Sequence, residues 1–255
     1  MSGQAYDERW LLVPRPRIRP RLRLICFPYA GGNPDLFRSW VNGLDADVEL
    51  LAVRLPGRGS RIKETPYEEW SPLIEDCLEV LAPYLNAPHA LYGHSFGGRL
   101  AYELAQKIRY RHPGQTHRLF VSGCRSPASR QAQPYLHQLC AEDFHQALHT
   151  MGGTPLAVLQ SEILMRLMLP ALRSDMRLSE IWEDWHEQPL EIPIHAYFGR
   201  HDPIDRQASM AGWSIHTSKE FELIEIDGDH FFLDSHRHQL LHSLTTRMRN
   251  QHANA

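Results

Sequence analysis

The residues with the clearest chemical potential lie in "LYGHSFGGRL", residues 91–100, where Ser95 stands between Gly93 and Gly97. A serine hydroxyl is a poor nucleophile at neutral pH. It needs a base to take its proton, an acid to orient that base, and N–H donors for the oxyanion that forms. Gly-x-Ser-x-Gly arises often by chance, so it carries weight only if the rest of the chain supplies those partners. On a strand–turn–helix scaffold the acid and then the base follow the serine in sequence. "RHDPID" at 200–205 offers Asp202, with Asp205 as a competitor. Pro203 stiffens the turn and favours Asp202. "DGDHFFLDSH" at 227–236 offers His230 as the base. Asp227 and Asp229 share its short loop and are poorly placed to reach the far side of the imidazole. The chain has 16 histidines. His94 flanks the serine, but the turn is expected to direct it elsewhere. His201 sits at the wrong end of its loop, and His236 and His238 fall in a terminal helix. For the oxyanion, one N–H is expected from Phe96, the residue after the serine. The other is expected from "CFPYAGGNPDLF" at 26–37, from Ala30 or alternatively Tyr29.

These groups need a scaffold. Short apolar runs at 23–27, 48–55, 89–93, 118–123, 194–199 and 221–226 read as strands covered on both faces. Residues 71–85 and 97–111 carry apolar positions at three- and four-residue spacing, the helical period. Alternating strands and helices predict an α/β fold, with a mostly parallel sheet and helices on both faces. Ser95 then sits between a strand and a helix, where small neighbours allow a sharp turn. Asp202 and His230 follow the last two strands, at the end of the sheet where α/β proteins place functional groups. From about 125 to 190 no strand is legible. Two helical stretches rich in Leu, Met and Trp predict an inserted helical subdomain, with Gly152, Gly153 and Pro155 as a joint. The expectation is a single domain over 1–255 with this insertion.

Composition narrows the function class. The 255 residues contain 42% hydrophobic and 22% charged residues, ordinary for a globular chain. A net charge of −3 gives no general attraction to nucleic acid. The Arg- and Pro-rich residues 14–23 read as an extended, exposed lead-in. The four cysteines form no Cys-x-x-Cys pair, so neither a zinc site nor a redox motif is expected. No signal peptide or membrane span is legible, and a cytoplasmic monomer is expected. "AGGNPD" lacks Gly-x-Gly-x-x-Gly, and "GHSFGG" is not a phosphate-binding loop.

Five segments occur together in order: "FPYAGG", "LPGRGSR" at 55–61, "GHSFGG", "GRHDPI" and "GDHFFL". With "FRSW" at 37–40, this set resembles the type II thioesterases, stand-alone α/β-hydrolases that accompany polyketide synthases and nonribosomal peptide synthetases. The resemblance runs from about Leu24 to Arg247. It implies an α/β-hydrolase fold in which residues near 125–190 form a helical lid. It implies hydrolysis of acyl thioesters on the phosphopantetheine arm of carrier-protein domains, clearing stalled or misprimed units, with no cofactor of its own. By position, Ser95 is the nucleophile, Asp202 the acid, His230 the base, and Ala30 and Phe96 the oxyanion donors. Phe96 and Arg99 depart from the residues frequent in the family and are expected to alter the acyl pocket. Arg54, Arg58 and Arg61 are close together and are expected to form part of a docking surface for acidic carrier domains. The competing readings are an esterase acting on small free esters or acyl-CoA, a catalytically silent partner, and a releasing domain of a larger synthase.

Overall fold

The computed structural model describes residues 7–129, 135–154 and 156–249. Seven strands make one sheet: β1 (Leu11–Leu12), β2 (Leu22–Phe27), β3 (Val48–Val53), β4 (His89–His94), β5 (Thr116–Ser122), β6 (Ile194–Gly199) and β7 (Phe221–Ile226). Their order is β1-β3-β2-β4-β5-β6-β7, with β1 antiparallel to β3 and the others parallel. The six strands read from sequence are all present. β1 is an addition: two residues give no periodicity to read.

The apolar runs lack alternation because both faces of the sheet are covered. Ile25, Leu51, Leu91, Leu119 and Ala196 point to one side, against helices α1 (Trp70–Leu85) and α2 (Phe96–Arg111). Leu24, Leu50, Tyr92, Phe120 and Tyr197 point to the other. There they meet the short 3-10 segment Pro34–Asn42, through Phe37 and Trp40, and the last helix.

Between β5 and β6 lie α3 (Ala141–Met151), α4 (Leu156–Leu159) and α5 (Glu162–Glu180), as the strandless stretch predicted. They share a small core of Phe144, Leu148, Leu159, Leu172 and Met176. Gly152 and Gly153 lie between α3 and α4, both with positive φ; Pro155, expected to join them in a hinge, lies outside the described residues. The C-terminal half of α5 is fastened to the sheet domain. Trp70 Nε1 donates to Leu178 O at 3.1 Å, Ser174 Oγ to Tyr67 O, and Arg177 Nη1 to Glu68 O. The N-terminal half is not: Ile163 and Leu167 are 74% and 51% exposed, and Pro170 lies within the helix where the halves meet. Three helices complete the fold: α6 (Gln207–Ala211), α7 (Phe232–Ser235) and α8 (Arg237–Arg249). Among the described residues, no helix is long and apolar enough to cross a membrane.

Candidate active site

Ser95 is the single residue between the end of β4 and the start of α2. Its backbone has φ 54° and ψ −119°, and it is the one non-glycine residue with positive φ among those described. Such a conformation costs on the order of 1–3 kcal/mol and persists only where its surroundings enforce it. Here Ser95 N donates to Ser122 O at 2.8 Å and Gly98 N to Ser95 O at 2.9 Å. The flanking glycines make the turn fit. A Cβ on Gly93 would lie 1.9 Å from Gly97 O, and one on Gly97 would lie 2.2 Å from Phe27 O. The serine is thereby held at the N-terminus of a 16-residue helix, where positive partial charge gathers.

The loops after β6 and β7 run side by side, joined by Arg200 N to Ile226 O and His201 N to Gly228 O, both 2.9 Å. They bring Asp202 and His230 together, with His230 Nδ1 2.7 Å from Asp202 Oδ2. Asp202 Oδ1 accepts from Ile204 N at 2.7 Å and Asp205 N at 2.9 Å, so the carboxylate is fixed through both oxygens. His230 and Ser95 line one cavity. Asp205, the competitor, is buried but bound to Arg125 Nε at 2.7 Å. Asp227 pairs with Arg200, and Asp229 accepts from Phe231 N.

His94 is directed away from Ser95, as expected, and bonds Ser122 instead. Its ring lies behind that of His230, edge-on at 5.2 Å. Nδ1 is 2.9 Å from Ser122 Oγ, while Nε2 is buried without a partner. Burial pushes its pKa well below the usual histidine value, so it stands as a neutral wall against the second imidazole.

The loop after β2 contributes Tyr29 and Ala30 to the cavity. Gly31 N donates to Asp175 Oδ2 and Gly32 N to Tyr29 O, both at 2.8 Å. The N–H groups of Tyr29 and Ala30 have no recorded acceptor among the described residues. The Phe96 N–H is the first of α2 and lacks an acceptor within the helix. The Phe96 side chain, expected to shape an acyl pocket, instead packs on Trp70 at 5.7 Å and is fully buried away from the cavity. Arg99 does line the cavity, as expected, alongside Leu148, Met151 and Leu172 from the inserted helices.

The arginine docking surface is not what the structure contains. Arg58 is buried in an ion pair with Asp175 of α5, Nη1 to Oδ2 at 2.6 Å and Nη2 to Oδ1 at 3.0 Å. Arg61 is buried against Glu64 at 2.7 Å, with its guanidinium 3.8 Å from the Trp10 ring. Arg54 Nη1 donates to Glu8 O at 2.6 Å. These side chains serve internal contacts, and Asp175 was not legible as a partner because 117 residues separate it from Arg58.

A family model described as "Thioesterase domain" matches residues 22–248. Linear gramicidin dehydrogenase LgrE of Brevibacillus parabrevis is 35% identical over 92% of this chain and 90% of its own length. Gramicidin S biosynthesis protein GrsT of Aneurinibacillus migulanus is 33% identical over 95% and 94%. The solved structure of BorB, titled a type II thioesterase from the borrelidin biosynthetic cluster, superposes with TM-score 0.87 at 32% identity, covering 96% of this chain and 100% of that one. The chain belongs to the thioesterase family and is a thioester hydrolase of the α/β-hydrolase fold.

Proposed function

We propose that the chain hydrolyses acyl groups from the phosphopantetheine arm of carrier-protein domains in polyketide or nonribosomal peptide assembly, removing stalled or misprimed units. A relative named for gramicidin S biosynthesis and a structural neighbour from the borrelidin cluster support that setting. The observation that carries the catalytic reading is the His230–Asp202 contact of 2.7 Å, on the cavity that also holds the elbow serine. "AGGNPD", after β2, offers no dinucleotide fingerprint to match the dehydrogenase in one relative's name.

In this reading Ser95 Oγ attacks the thioester carbonyl while His230 Nε2 takes the proton. Asp202 holds Nδ1–H and stabilises the imidazolium. The N–H groups of Phe96 and Ala30 receive the oxyanion. The tetrahedral intermediate collapses, the C–S bond breaks, and the pantetheine sulfur leaves with the His230 proton. Water, activated by the same imidazole, then attacks the acyl-Ser95 ester and releases the acid. A thiolate leaves readily, so the triad needs little further help. Helices α3–α5 act as the lid. The arm belongs to the partner, and the enzyme requires no metal or cofactor of its own.

The test is mass spectrometry of carrier proteins loaded with different acyl groups, before and after exposure to the enzyme. Loss of acyl mass with the native chain is expected. Ser95→Ala should slow it by roughly 10⁴-fold or more, and Asp202→Asn by about 10⁴-fold. Asp205→Asn should retain more activity than Asp202→Asn. If no loaded carrier is hydrolysed while small aryl esters are, the chain is an esterase instead.

A further inference from the structure

Arg99 lies four residues after Ser95 on α2, about one helical turn, or roughly 6 Å along the axis. It lines the narrow cavity that holds Ser95 and Ala30, and also the wider groove that adjoins it. The residue is only 4% exposed. Its Nη1 donates to Ser179 Oγ at 2.6 Å, and its guanidinium faces the Trp182 ring at 5.4 Å. Its Nε is buried with no hydrogen-bond partner. Among the described residues no carboxylate pairs with it, and the residues outside that set include no Asp or Glu. The two acids on the cavity wall are engaged elsewhere. Asp205 is bound to Arg125, and Glu180 accepts from the His137 ring and from the N–H groups of Leu136 and His137.

A buried cation without a counter-ion is costly unless something supplies the charge. The guanidinium fork fits a carboxylate, which can take two parallel hydrogen bonds from it. The phosphate of a carrier arm stands at the far end of a long pantetheine chain, too remote from the thioester to reach a residue one turn from Ser95. An anion arriving at Arg99 therefore belongs to the acyl group. We propose that Arg99 selects acyl thioesters that end in a carboxylate, the half-thioesters of short dicarboxylic acids such as succinyl. This rests on Ser95 being the nucleophile and names the substrate class of that same site. Ser179 Oγ, already bonded to Arg99, positions the guanidinium from the lid side.

The experiment compares two N-acetylcysteamine thioesters of equal shape, succinyl and 4-oxopentanoyl, which differ by a carboxylate against a methyl ketone. In the native chain kcat/KM should favour succinyl by about tenfold to a hundredfold, the usual range for a charge-assisted pair. Arg99→Met should bring the ratio close to one, and Arg99→Lys should leave it in between. Equal or greater turnover of the ketone by the native chain overturns the proposal. So does Arg99→Met lowering both substrates in proportion, which would mark Arg99 as serving the fold or the arm. Binding supplies a readout independent of turnover. Calorimetric titration of Ser95→Ala should give about tenfold tighter affinity for the succinyl thioester, and equal affinities count against the selection. Failure of the native chain to hydrolyse either thioester would refute the catalytic reading, while the binding ratio still decides the role of Arg99.

Discussion

Replacing Asp175 with alanine tests how firmly the inserted helices are attached to the sheet domain. Its carboxylate receives two bonds from Arg58, at 2.6 and 3.0 Å, and one from Gly31 N at 2.8 Å. The two charged side chains are 5% and 4% exposed. The substitution strands the guanidinium in a closed site, and breaking a buried pair in this way costs about 3–5 kcal/mol. For a chain of this size each kcal/mol shifts the melting temperature by roughly 2–4 °C, so a fall of about 6–20 °C is expected. Arg58→Met combined with Asp175→Leu removes both charges and should be nearly neutral by comparison. With Asp175→Leu and Arg58→Met as the single variants, the double-mutant cycle should therefore return a coupling energy of at least about 3 kcal/mol. Urea denaturation gives both stabilities. Turnover of a small thioester should also fall in Asp175→Ala, because Gly31 loses its anchor beside the proposed oxyanion donor, Ala30. The reasoning is refuted if Asp175→Ala melts within a degree or two of the native chain and the double variant is no more stable than the single one.

Two further outcomes follow from the same structure. Gly97→Ala adds a Cβ 2.2 Å from Phe27 O and 2.5 Å from Pro28 O, backbone atoms that cannot give way cheaply. It should cost about 1–3 kcal/mol by overpacking and at least roughly a hundredfold in turnover, since the elbow must open; a thermal melt and a thioester assay check both, and unimpaired turnover would contradict the account of the turn. Acid should destabilise the chain already above the carboxylate range. Burial lowers the pKa of His89 and of His195 to about 4, from a usual value of 6.5. The unfolded chain then binds these protons near pH 6.5 and the folded chain only near 4, so stability is full above pH 6.5 and declines as pH falls from 6.5 towards 4. A stability that stays flat between pH 6.5 and 4 in urea titrations would show that these imidazoles are not held neutral.

The strands and the triad candidates were legible because each leaves a local mark. A parallel strand buried on both faces is a short apolar run, and an elbow needs its glycines within two residues of the serine. Asp202 and His230 each follow a readable strand. In the sequence only Pro203 separates Asp202 from Asp205, whereas in the structure the separation is sharper: Arg125, 80 residues away, binds Asp205. Distant contacts are where sequence failed. Arg58 and Arg61 look like a solvated basic patch until Asp175 and the Trp10 ring close over them. Phe96 was expected in the acyl pocket from its place beside Ser95, but the helix turns its ring onto Trp70. β1 is a two-residue edge with no pattern to recognise.

Helix α5 is one continuous helix with two unequal attachments. Lifting its second half breaks the Asp175–Arg58 pair together with the bonds through Ser174, Arg177, Leu178 and Ser179. Lifting its first half disturbs only the small core around Phe144 and Leu148. Local opening free energies therefore rise steeply along one element, from low before Pro170 to near the global value after it. If helices α3–α5 act as the proposed lid, peeling the first turns of α5 together with α3 and α4 breaks fewer contacts than swinging the insertion as a rigid body. The Arg99 side of the cavity, tied through Ser179, keeps its shape while the Leu148 and Met151 side yields. On the proposed reading, the polar end of an acyl group would meet a fixed wall at Arg99 and its bulk a compliant one.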